Sequence, residues 1–149
     1  MFTPVQIQQL ENQLWHLVRT YTEAPKSVAL TDTCSEVSRL VGLWILEKHP
    51  ECSVFVYKGV DVLHTKQAHD VLFVTCEAAD QGMILDPTVY QFFPKTEHML
   101  MDTCDKEKLP GTLSSMYGGQ WGYSEMLTPD AYQERQLKEV LRQSLQEGS

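Results

Sequence analysis

The chain has 149 residues, of which 42% are apolar and 21% charged, and its net charge is −8. This size and balance suit one soluble domain spanning residues 1–149, and exclude a fibrous or disordered chain. With an acidic surface and no Lys/Arg cluster, neither nucleic acid nor an anionic membrane is an expected partner.

No apolar run approaches the roughly 20 residues that span a bilayer. The opening "MFTPVQIQQLENQLWHLV" has neither the basic start nor the small-residue cleavage site of a secretory signal. The four cysteines, Cys34, Cys52, Cys76 and Cys104, form no CxxC pair. Reduced thiols in a cytoplasm are therefore the default expectation, with signal-independent export left open.

A first helix is expected from Thr3 as cap, Pro4 at the first helical position and Gln6 completing a capping box. Ile7, Leu10, Leu14, Leu17, Val18 and Tyr21 recur at helical spacing, and Pro25 ends the element. A second helix follows from the capping box T-C-S-E at residues 33–36. Its stripe of Val37, Leu40, Val41, Trp44 and Ile45, widened by Leu43 and Leu46, makes it mostly buried up to Pro50.

The period then changes to two. "CSVFVYKGVDVL" is a strand, bulged or turned at Lys58-Gly59; "HDVLFVTCE" is a second and "GMILDPT" a third. Alternation puts His69, Val71, Phe73 and Thr75 on one face of the second strand, leaving Asp70 pointing away as a surface or edge residue. From "YQFFPKTEHM" to "YGGQWGYSEM" the pattern is irregular and is expected to be a long ordered loop region. A last helix opens at Thr128-Pro129 and carries Leu137, Val140, Leu141 and Leu145. The fold class is α+β, with N-terminal helices on a small antiparallel sheet and a C-terminal helix.

Three residues stand where they have a joint meaning. Cys34 lies at a helix start, His69 opens a strand and Asp86 closes the next one. A thiol attacks as thiolate, and its ordinary pKa of about 8.5 leaves little of that form at neutral pH. A helix N-terminus favours the thiolate, an imidazolium beside it does so further, and a carboxylate orients the imidazole. Pairing of the second and third strands as a hairpin brings His69 and Asp86 together. The N–H groups around Cys34 are candidates for an oxyanion hole.

With "C-S-E-V-S-R-L" and "I-L-D-P-T-V-Y-Q-F", residues 29–92 resemble the transglutaminase-like branch of the papain-like cysteine enzymes. The resemblance implies a papain/transglutaminase-like core in which Cys34 is the nucleophile, His69 the general acid/base and Asp86 the orienting carboxylate. It implies acyl transfer on an amide, either a glutamine side chain or a peptide bond, by deamidation, transamidation or hydrolysis, as in a small bacterial deamidase or transglutaminase acting on a protein partner. The expected partner is a protein or peptide substrate, with no cofactor and no metal. The chain departs from the family at "HDVLF", where "HAWxE" is usual. It also lacks a glutamine just before Cys34, so the second oxyanion donor is unassigned.

Other readings stand beside this one. The same triad serves a small-molecule acyltransferase or amide-forming biosynthetic enzyme, and the fold without activity serves as a protein-binding module. His64, in "LHTKQAH", is a rival general base. His49 and Cys52 in "HPEC" look like half a zinc site without the second pair that a tetrahedral site needs. Cys52, Cys76 and Cys104 are expected to be structural or bystanders. The stretch Tyr117–Tyr123 suits either the wall of a substrate cleft or a plain connecting loop, and Met99, Met101, Met116 and Met126 suit gap-filling.

Overall fold

In a computed structural model, the backbone is described over residues 4–21, 34–64, 68–76, 81–88, 98 and 100–147. Helix α1 (Pro4–Tyr21) starts at the expected proline, and α2 (Cys34–Lys48) starts at the cysteine itself. Glu36 in the first turn of α2 and Lys48 in its last complement the helix dipole. The proposed capping residues Thr3 and Thr33, and Pro25, lie outside the described residues.

Strands β1 (Cys52–Val60), β2 (His69–Cys76) and β3 (Gln81–Leu85) follow. Lys58-Gly59 stays within β1 rather than turning it, and a short 3₁₀ turn at Val62–His64 leads out. The region expected to be an irregular loop instead contains β4 (Leu100–Asp105), α3 (Leu109–Tyr117) and β5 (Gln120–Leu127). Leu109, Leu113 and Tyr117 recur every fourth residue and form the buried stripe of α3. Helix α4 (Ala131–Glu147) begins two residues later than Thr128-Pro129 suggests. Asp130 is its cap, accepting the Gln133 backbone N–H at 3.0 Å.

The strands form one antiparallel sheet in the order β4-β3-β2-β1-β5. Each face supports its own core. On one side α2 covers Val54, Val56, Leu72, Val74, Met83 and Leu85, with Leu10 and Leu14 of α1 joining the same cluster. On the other, α3 covers Tyr57, Val71, Phe73 and Ile84. Full burial of a Leu or Ile side chain contributes about 1.5–3 kcal/mol, so Leu14, Leu40 and Ile45, all with 0–1% exposure, are major anchors of the first cluster. Among the described residues, no helix is long and apolar enough to cross a membrane.

Two corrections concern polar residues. Asp70 does face away from His69, but it is 2% exposed and ion-paired rather than a surface residue. Cys52 is disulfide-bonded, against the expectation of reduced thiols, and the β1–β2 register sets it opposite Cys76. Its sulfur is thereby withdrawn from any zinc site with His49. Among the described residues, no group of three or more His, Cys, Asp and Glu could hold a metal ion.

Candidate active site

β2 opens with His69, whose side chain points to the α3 face along with Val71 and Phe73. In the β2–β3 hairpin Leu72 pairs with Leu85, so Asp86 emerges one residue past the pair, within diagonal reach of His69. A register shift between β3 and β4 at Ile84/Leu85 falls just before it, a common device for re-aiming a side chain. The outcome is a contact of 2.7 Å between His69 Nε2 and Asp86 Oδ2, with both side chains fully buried.

The two carboxylate oxygens have separate duties. Oδ1 accepts the Thr88 backbone N–H at 3.1 Å, closing an Asx-type turn around Pro87, with the Thr88 hydroxyl at 3.5 Å. Oδ2 takes His69 and also accepts the Tyr117 hydroxyl at 2.7 Å. The segment "DPT" thus both closes a turn and holds a carboxylate against the histidine. Burial raises the Tyr117 phenol far above its ordinary range, and the Asp86 charge and hydrogen bond add to the effect. Tyr117 therefore stays protonated and donates.

Tyr117 and Trp121, which on sequence suit either a cleft wall or a connecting loop, lie against each other, and Tyr117 reaches Asp86. Gly118 and Gly119, at φ 72° and 80°, turn the chain sharply between them. A Cβ on Gly119 would collide with the Val60 carbonyl oxygen, so only glycine lets the turn press against the end of β1. Trp121 Nε1 donates to the Gly118 carbonyl at 2.9 Å. Its indole lies over Gly59, where a side chain would strike the ring. The Trp121 ring stands edge-on to His69 with centroids 6.3 Å apart, and Tyr117 tilts against His69 at 5.5 Å. His69 and Asp86 thus sit in an aromatic enclosure that excludes water and strengthens their interaction.

Cys34 is the first residue of α2, as expected, and its side chain lies outside the described residues. The side chain of the rival base His64 does also. Nearby described atoms join the two parts of the constellation: Ser38 Oγ donates to the Asp70 carbonyl at 3.4 Å, and Arg39 Nη1 reaches Asp70 Oδ2 at 3.0 Å. A cavity lined by Gln6, Gln9, Leu10, Gln13, His49 and Glu51 lies by the C-terminal end of α2, the end opposite Cys34. Of the other sequence candidates, Met116 packs against the α3-side cluster and Met126 is exposed. Met99 and the side chain of Met101 lie outside the described residues. Burial raises the Cys104 thiol, as do Asp102 and Asp105, partly offset by a hydrogen bond with Thr112.

No family model, curated protein or solved structure matches the chain.

Proposed function

We propose that this chain is a thiol-nucleophile acyl-transfer enzyme acting on an amide, with Cys34, His69 and Asp86 as its triad. The observation that carries the reading is the buried 2.7 Å contact between His69 and Asp86, reached from two strands whose order and ends are those the triad requires. The Asp86 carboxylate accepts from Nε2–H, which assigns the proton transfer to Nδ1. Cys34 thiolate adds to the amide carbonyl and pushes an electron pair onto its oxygen. As the carbonyl reforms, the C–N bond breaks, and His69 delivers its proton to the leaving nitrogen. A thioester stays on Cys34. Water then releases the acid, giving deamidation or hydrolysis, whereas an amine gives transamidation. A glutamine side chain or peptide bond of a protein partner is the proposed substrate, with a small acyl donor as the alternative on the same triad.

A cytoplasmic home remains the proposal from the sequence, with signal-independent export beside it. The Cys52 disulfide favours export, because such bonds persist in oxidising compartments.

A second reading has one observation in its favour. His69 and Asp86 are each 0% exposed, which also suits a structural hydrogen bond inside a non-enzymatic binding module. Iodoacetamide alkylation of Cys34 against pH separates the two. The enzyme reading expects half-maximal alkylation well below about 8.5 and loss of that shift in His69→Ala. Titration at or above about 8.5, indifferent to His69, would leave the module. With candidate proteins, mass spectrometry then reads glutamine-to-glutamate conversion or amine incorporation, and Cys34→Ala is expected to abolish both.

A further inference from the structure

The two faces of β2 pose a geometric problem for this triad. His69 points to the α3 face, while α2, which begins with Cys34, packs on the opposite face beside Leu72 and Val74. The nucleophile end of α2 must therefore be held at the end of the sheet where β2 begins, and directional charge-assisted hydrogen bonds can set that placement more finely than non-directional apolar packing.

The described atoms contain a polar fastening at this place. Arg39 Nη1 binds Asp70 Oδ2 at 3.0 Å, and also the Ser35 carbonyl at 3.2 Å and the Ser35 hydroxyl. Ser35 is the residue after Cys34, and Asp70 is the residue after His69. Ser38 adds a second link to the Asp70 backbone. The other edge of the guanidinium, Nε, reaches Glu125 Oε1 at 2.6 Å. Glu125 belongs to β5, the strand whose Trp121 stands edge-on to His69. One planar fork thus touches the elements that carry the nucleophile, the base and the aromatic wall. A guanidinium can do this because its donors point in fixed directions; an ammonium cannot. Burial works against the Arg39 charge, but Asp70 and Glu125 outweigh it and hold the group above its ordinary pKa. Two carboxylates face one cation, so the cluster offers a thiolate no net positive charge, and its effect on Cys34 is one of placement.

We propose that Arg39 is a positioning residue that fixes the Cys34 end of α2 against the start of the His69 strand, through Asp70 and with Glu125 as its brace. The inference rests on the acyl-transfer reading.

The test is a double-mutant cycle on Cys34 alkylation by iodoacetamide at mildly acidic pH, with the adduct located by peptide mapping. Wild type is expected to react about tenfold or more faster than His69→Ala. Arg39→Met is expected to lose most of that advantage while still melting cooperatively. Arg39→Lys, which keeps the charge but not the fork, should recover only a minor part of it. In the His69→Ala background, Arg39→Met is expected to change the rate less than about twofold, because no partner is left to align with. An equal fall in both backgrounds, an unchanged rate in folded Arg39→Met, or full recovery with Lys would each overturn the positioning role. If Arg39→Met does not fold, Asp70→Asn and Glu125→Gln remove one arm each and carry the same cycle. Equal rates in wild type and His69→Ala would instead overturn the acyl-transfer reading, and this inference with it.

Discussion

The sheet face under α2 and the face under α3 use the same strands for different ends. Under α2 the described cluster is aliphatic, with Leu40, Val41 and Ile45 beside Val54, Leu72 and Leu85, and the Arg39–Asp70 ion pair lies toward its Cys34 end. Under α3 the aliphatic floor of Val71 and Ile84 gives way at one end to Tyr117, Trp121, His69 and Asp86. The first face takes its stability from area removed from water, which tolerates many sequences of suitable volume. The second holds polar groups whose partners are fixed by direction, and a lost partner there leaves a buried group unsatisfied. Both faces thus contribute a buried apolar core, and the face under α3 adds a buried polar group set, His69, Asp86 and Tyr117, at one end.

The largest expected departure comes from Asp86→Asn. On the acyl-transfer proposal, an amide keeps the shape but favours the wrong imidazole tautomer, so kcat should fall by about 10³–10⁴-fold in a chain that still folds. Unchanged kinetics would reduce "DPT" to a turn and erase the contrast between the faces. On the opposite face, Leu40→Ala should cost about 2–5 kcal/mol in denaturant unfolding and leave the alkylation profile of Cys34 unchanged at temperatures where the chain is folded. An altered profile would mean that the two faces are coupled. Cys52→Ser should remove about 2–4 kcal/mol if the disulfide closes the loop between β1 and β2, and non-reducing peptide mapping should find Cys52 joined to its register partner Cys76.

Tyr117→Phe should have the smallest effect, about 1–3 kcal/mol for the lost hydrogen bond to Asp86. It also has a pH signature. The folded chain keeps the Tyr117 proton well above the unfolded value of about 10, so the unfolded state binds fewer protons there. The stability owed to this phenol is complete below pH about 10 and is lost as pH rises beyond it. The variant should therefore unfold less steeply in alkali, retaining a contribution from Tyr57, whose phenol burial also raises. An alkaline limb identical to wild type would remove Tyr117 from the enclosure.

The helices α1 and α2 and the first three strands were legible because their periods are long and unbroken. The stripe of α2 and the alternation of "HDVLFVT" each survive without tertiary information. The meeting of His69 with Asp86 was legible for the same reason, since a hairpin with known ends has only one register that buries its apolar face. The region after Asp86 was not. Gly111 and Pro110 disguise a nine-residue helix whose spacing of Leu109, Leu113 and Tyr117 was available but short. β5 is an edge strand with most of its residues exposed, so it has no inside-outside alternation to read. The burial of Asp70 is not legible in the sequence, because alternation tells which face a residue takes, not whether that face is buried. Its partner Arg39 lies 31 residues earlier, beyond any local pattern. The Cys52 disulfide depends on register, which spacing alone does not reveal.

The indole over Gly59 makes the protein its own optical instrument. An imidazolium quenches a neighbouring indole far more than a neutral imidazole does, and Trp121 stands edge-on to His69 at 6.3 Å. With Trp15 and Trp44 replaced by phenylalanine, its emission followed against pH would report the charge of His69 directly, with no substrate in hand.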